Sequence, residues 1–326
     1  MKNKIQRRTL TKFALTGLAM AAAGLRAHAT EKPLRLVLPV SAGSGVDTIM
    51  RAAVPSLTKA LDGQAVVIDN LPGAGGITGT SVVVRAPADG LTLGIVSNNH
   101  VVNPSVFKKM PFDVLNDVTP ICVIGATPFV LVVNAKVPAQ NVRELQALLK
   151  AKPGEYNYGS SGNGTILHLG GAMFADAAGV DVHHIPYKGV GPMVADLIGG
   201  QIQMAVTSVP SVQGQLKSGA LRAIGVMGKA RVPSLPEIPT VAEQGLPSVD
   251  IAGWFALIGP AKLPGAQVER LHAAIVTAFN TPETRDAMLK QENIINPMSP
   301  EASAQFFRTE QERYAQLVKT AKISVE

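Results

Sequence analysis

The chain has 326 residues, enough for two domains. With 46% hydrophobic and 16% charged residues it has ample apolar surface to bury, which excludes disorder, and its 31 glycines and 23 prolines stay below low-complexity levels. Of its 30 basic residues, six lie in residues 1–29, which hold no acid. The other 24 face 23 acids, so the formal charge of +7 belongs to the leader and predicts no nucleic-acid partner.

The leader divides into three parts: a basic stretch to Lys12, an apolar run over 13–25, and Ala27-His28-Ala29 before Thr30. This is the order of an export signal cleaved after Ala29. The apolar run is too short to span a bilayer, which needs about 20 residues. Arg7-Arg8 resembles the pair of the twin-arginine route, but Leu10 stands where a Phe often follows, so that route and the general one both stay open. No later segment reaches eighteen unbroken apolar residues. Cys122, the lone cysteine, can form no internal disulfide and reads as a small core residue.

From Pro33 onward, short β-branched runs alternate with helical patterns. Strands are predicted over 34–39, 65–69, 91–96 and 128–133, with helices over 47–61 and up to 84. Asn141 caps a helix that Pro153-Gly154 ends. The pattern resumes with strands over 156–159, 182–185, 202–206 and 222–226, and helices over 168–178 and 193–198. Thr281-Pro282-Glu283 and Ser299-Pro300-Glu301 each open a helix with a capping hydroxyl, Pro at the first position and an acid in the first turn. Such alternation predicts parallel sheets with helices on both faces.

Four strand-to-loop junctions share small, uncharged residues: 39–47, 70–76, 97–100 and 159–165. Open α/β sheets place ligands at these strand ends. Glycine admits close backbone approach, and helix N-termini attract anions. Any one junction reads as ordinary turn chemistry; four together describe a cradle for a carboxylate. Competing chemistries lack parts. Gly43-Ser44-Gly45 is followed by Thr48 where a dinucleotide turn needs its third Gly, and Asn163 stands where a nucleophile elbow needs Gly. His183 and His184 alternate along a strand and cannot both reach one metal. His168 opens a helix and reads as a packing or capping residue. No catalytic group, cofactor or metal site is expected.

The stretches 66–76, 184–189, 196–202 and 236–245 resemble the Bug receptors of tripartite tricarboxylate transporters, collinear from Pro39 to past Pro300. The resemblance implies a type II periplasmic binding protein fold: two doubly wound α/β lobes joined by two crossing strands. One lobe would be 30–130 plus 253–326, the other 131–252. It also implies a monomeric periplasmic receptor, not an enzyme, that captures a small carboxylate and passes it to membrane permease subunits. An exported carboxylate sensor feeding a signalling partner is the alternative. Carried onto this chain, the ligand loops supply Ser41, Gly43, Ser44, Gly45, Gly75, Gly76, Ser97, Asn98, Ser160, Ser161, Gly164, Thr165 and Thr207. Two departures bear on ligand identity: Ser44 stands where the family usually has Gly, and Thr207 where many relatives have an acid. Trp254 and Tyr187 are the candidates for stacking on a ring.

Overall fold

Short β-branched runs, each followed by a helix with one apolar stripe, build two mixed sheets. The computed structural model describes residues 32–320, and the leader read from residues 1–29 lies outside them. The chain enters through β1 (Leu34–Leu38), α1 (Gly45–Ala60), β2 (Val66–Asn70), a 3₁₀ turn at Ala74–Gly76, α2 (Ile77–Val84), β3 (Thr92–Ser97), α3 (Asn99–Val106) and β4 (Val118–Thr127). Pro128 alone separates β4 from β5 (Phe129–Asn134). The second half continues with α4 (Val142–Ala151), β6 (Asn157–Ser160), α5 (Ile166–Ala178), β7 (His183–Pro186), α6 (Val190–Gly199), β8 (Met204–Ser208), α7 (Val209–Lys217) and β9 (Leu221–Val226). The chain then returns through β10 (Gly253–Pro260), α8 (Gly265–Asn280), α9 (Pro282–Lys290), β11 (Ile294–Ile295) and α10 (Pro300–Thr320).

The strand orders are β11-β4-β10-β3-β1-β2 and β7-β6-β8-β5-β9. Parallel pairing, expected throughout, holds for β1 with β2 and β3 and for β6 with β7 and β8; β10 and β5 run against their neighbours. The reason lies in the crossings. The ligand-side ends of the parallel strands face one another, so a chain that leaves one sheet there enters the other from its C-terminal edge and must run backwards. This is the type II periplasmic binding protein fold, two doubly wound α/β halves joined by crossing strands.

Sequence left β4 and β10 unread for separable reasons. Pro120 lies inside β4, beside an irregularity in its pairing with β10, and Pro inside a run argues against a strand. All eight residues of β10 are buried, so it shows no alternation to read. Caps behaved as their residue types dictate: the Asn141 side chain accepts from Glu144 N, and Thr281 from Thr284 N. One hydrophobic cluster packs α1, α8 and α9 on a face of the first sheet, through Ile49, Leu57, Phe255 and Phe279. The other runs continuously from the opposite face, along the crossing strands, into the second sheet. Cys122 is fully buried, and burial pushes its thiol up to about 12, so it is an inert core group.

Candidate functional site

The C-terminal ends of β1, β2, β3, β6, β7 and β8 face one another, and six helices, α1, α2, α3, α5, α6 and α7, begin there. Between them lies a cavity of about 440 Å³. Ser41, Ser44, residues 73–76, Asn99, Ser161, Gly162, Asn163, Thr165 and residues 187–190 line it. Deeper, against the crossing strands, a pocket of about 60 Å³ is bordered by Gly45, Ser97, Asn98, Thr127, Thr207, Ser208 and Trp254. A third recess, by Gly75, Gly76 and Ser97, adjoins them. Of the sequence-predicted residues, Gly43, Ser160 and Gly164 border none of these spaces.

Local hydrogen bonds explain those three. Ser44 caps α1, and the carboxylate of Asp47 in the first turn accepts from Gly43 N at 2.9 Å. Asp47 also accepts from Arg51 and Asn70. Burial pushes its carboxyl up, but these bonds outweigh burial and hold it below the usual carboxylate range. The N-terminus of α1 therefore already faces an internal anion. In the second half, Thr165 caps α5 and donates to Gly162 O. Ser160, fully buried, bonds Gly162 and lies 2.6 Å from His184 Nε2. Gly164 sits at φ +72°, where a side chain is strained, and donates to His168 Nδ1 at 3.0 Å. These residues shape the loop from behind.

The two halves meet across the cavity. Asn99 Oδ1 accepts from Ile166 N at 2.7 Å, and Ser41 Oγ from Val190 N at 3.1 Å. Asn98 is engaged at both ends of its amide: it donates to Ala252 O and Tyr314 Oη and accepts from Trp254 N. Trp254 is likewise held, donating to Glu310 and packing against Phe306 and Phe307. Trp254 borders the inner pocket; Tyr187 lines the main cavity, its hydroxyl donating to Asp196 at 2.8 Å. The hydroxyls of Thr127 and Thr207, bordering the inner pocket, have no hydrogen-bond partner among the described residues.

Among the described residues, no Asp or Glu lines these three spaces, and Lys188 is the one formally charged residue there. It is exposed and forms no ion pair among the described residues. No Arg or Lys lies in the small-residue junctions, so the loops by themselves predict no cation; Lys188 follows β7 outside them, while Asn99 belongs to the junction 97–100. The pair Ser160–His184 has the spacing of a nucleophile and base, yet Ser160 is sealed from every cavity wall named above. No group of three His, Cys, Asp or Glu among the described residues could hold a metal. The arrangement can bind an anion through helix N-termini, hydroxyls and one lysine; it carries no assembled catalytic group.

A family model described as the tripartite tricarboxylate transporter family receptor matches residues 49–323. BugT of Bordetella pertussis is 31% identical over 314 residues, spanning 94% of this chain and 96% of that one. A Rhodopseudomonas palustris protein solved with adipate is 30% identical with a TM-score of 0.87, over 90% of this chain and 99% of that one. Another protein of that organism, MatC with bound malate, is 25% identical with a TM-score of 0.84, over 88% and 99%.

Proposed function

The chain belongs to the tripartite tricarboxylate transporter receptor family, and we propose that it captures a small carboxylate between its two halves and delivers it to the permease subunits of such a transporter. The observation that carries this is the cavity of about 440 Å³, free of acidic side chains, ringed by helix starts and overlooked by Lys188. The size suits a small metabolite. Relatives solved with adipate and malate favour a carboxylate among possible anions. We take residues 30–130 with 253–326 as one lobe and 131–252 as the other. Because the Asp47 carboxylate already sits in the first turn of α1, while the first N–H groups of α5 and α6 meet only the neutral acceptors Asn99 and Ser41, the ligand's charge is assigned to the starts of α5 and α6, with Ser161, Thr165 and Lys188.

A thermal-shift screen of mono-, di- and tricarboxylates tests this. Ligand at 100 times its dissociation constant stabilises the native state by ~2.7 kcal/mol, a rise in Tm on the order of 5 °C for a chain this size. A neutral sugar that shifts the melt, while no carboxylate does, would overturn the assignment. Ser161→Ala removes a lining hydroxyl without touching a helix cap, and weakens binding about tenfold by calorimetry. Thr165→Ala is a poorer probe, because it also removes the cap of α5, itself worth ~1 kcal/mol.

The proposed location is the periplasm, after loss of the leader. Intact-mass measurement of protein recovered from the periplasm should begin at Thr30; functional protein that keeps residues 1–29 would contradict it. Lysine replacement of Arg7 and Arg8 blocks export only on the twin-arginine route.

A further inference from the structure

Behind the loop 160–165, on the side away from the cavity, two imidazoles stack face to face. The rings of His168 and His184 are 3.8 Å apart and within 6° of parallel. Neither lines the spaces between the halves. Each ends on a different part of the loop: His184 Nε2 on Ser160 Oγ at 2.6 Å, His168 Nδ1 on Gly164 N–H at 3.0 Å. Because an amide N–H can only donate, His168 Nδ1 must carry a lone pair, which fixes its ring as the neutral Nε2–H tautomer. Tyr158 packs against both rings, 4.9 Å from His184 and 6.3 Å from His168. The loop itself needs such support: Gly162 and Gly164 both have positive φ, +136° and +72°, and glycine at these positions gives an open chain many alternatives.

We propose that His168 is a positioning residue that holds the loop 160–165 in its ligand-ready conformation, its Nδ1 serving as the anchor of Gly164. The inference rests on the reading of the cavity as a carboxylate site. The loop presents Ser161, Gly162, Asn163 and Thr165 to that cavity. Freed at Gly164, it would have to be ordered at the moment of binding, and that cost appears as lost affinity.

Two substitutions separate the acceptor from the ring. His168→Asn keeps an acceptor near the Nδ1 position and loses the stack; His168→Phe keeps a flat ring on His184 and loses the acceptor. Calorimetric titration with the carboxylate that shifts the wild-type melt most is expected to give a Kd within about threefold of wild type for His168→Asn and at least ~10-fold weaker for His168→Phe. Hydrogen exchange of the Gly164 amide reads the same bond without ligand: slow in wild type and His168→Asn, at least ~10-fold faster in His168→Phe. Equal losses in both variants, or wild-type affinity and exchange in His168→Phe, overturn the proposal in favour of plain packing. If wild type binds no carboxylate, the receptor reading fails, and the exchange rates alone decide whether His168 anchors the loop.

Discussion

Gly45→Val is expected to raise the carboxylate Kd at least ~100-fold while leaving the fold standing. A Cβ built on Gly45, the first residue of α1, overlaps Ser208 Oγ and stands 3.1 Å from Ser208 Cβ. Ser208 is the capping position of α7, on the other sheet, and its hydroxyl is bonded to Ser211. The hydroxyl of Ser208 could rotate from a single methyl group, so Gly45→Ala is the milder variant. Valine adds two branches beside the Ser208 Cβ and the Ser211 hydroxyl, which a hydroxyl rotation does not clear, and parting the two halves relieves them. Binding that needs closure then loses at least ~2.7 kcal/mol. The fold is spared, because position 45 has no left-handed φ to violate and valine restricts the unfolded chain more than glycine does. Calorimetry reads the affinity, and small-angle scattering of the ligand-free variant should show a larger radius of gyration. Wild-type affinity in Gly45→Val would mean the ligand is held without the two surfaces meeting.

Acid is expected to cost about 4 kcal/mol of stability between pH 7 and pH 5. Burial pushes His100, bonded through Nε2 to Val114 O, down to about 4. Burial likewise pushes His168 down to about 4, and burial with the neighbouring His168 takes His184 to about 3. All three are neutral at pH 7. The unfolded chain takes up their protons near the ordinary value of about 6.5, while the folded chain resists. Their stability contribution is therefore complete above pH ~6.5, falls as pH drops, and levels off only near the folded values. Linkage gives ~2 kcal/mol for fully buried His100 at pH 5. The stacked pair, being partly open to solvent, adds about the same in total after allowance for screening. Urea unfolding at pH 7.5 and pH 5.0 checks this: the midpoint should fall sharply, and less so in a His100→Gln variant. A midpoint that does not move between the two pH values would show that these imidazoles are accessible in the native state.

Much of this architecture is written in local chemistry. The strand-to-helix junctions are legible because short small-residue loops can do little else than turn a chain from sheet to helix. Ser44, Asn141, Thr165 and Thr281 sit where caps belong. What stayed hidden depends on partners far along the chain. Asn98 borders the inner pocket, but the Ala252 and Tyr314 partners that hold its amide lie 154 and 216 residues away and cannot be read from the loop. Gly43 offers an N–H that its own Asp47 takes four residues later. Lys188 gave no signal, since a surface Lys after a strand has the same composition whether or not a cavity opens beside it; Asn99 lies in the junction 97–100, but its bond to Ile166 N, 67 residues away, does not show there. The reversed strands were illegible for the same reason, since direction within a sheet follows from where the chain crosses.

The strand order also sets a timetable for synthesis. β10 lies between β3 and β4 in its sheet, yet it leaves the ribosome more than a hundred residues after β4. At roughly 5–20 residues per second the nascent first sheet waits on the order of 10 s with a gap at its centre and two unpaired edges. The second sheet, drawn wholly from residues 129–226, has all its strands at once and can complete during that wait. The order of assembly is thus inside out: the inserted half matures first and serves as the fixed body onto which the returning chain closes the older one.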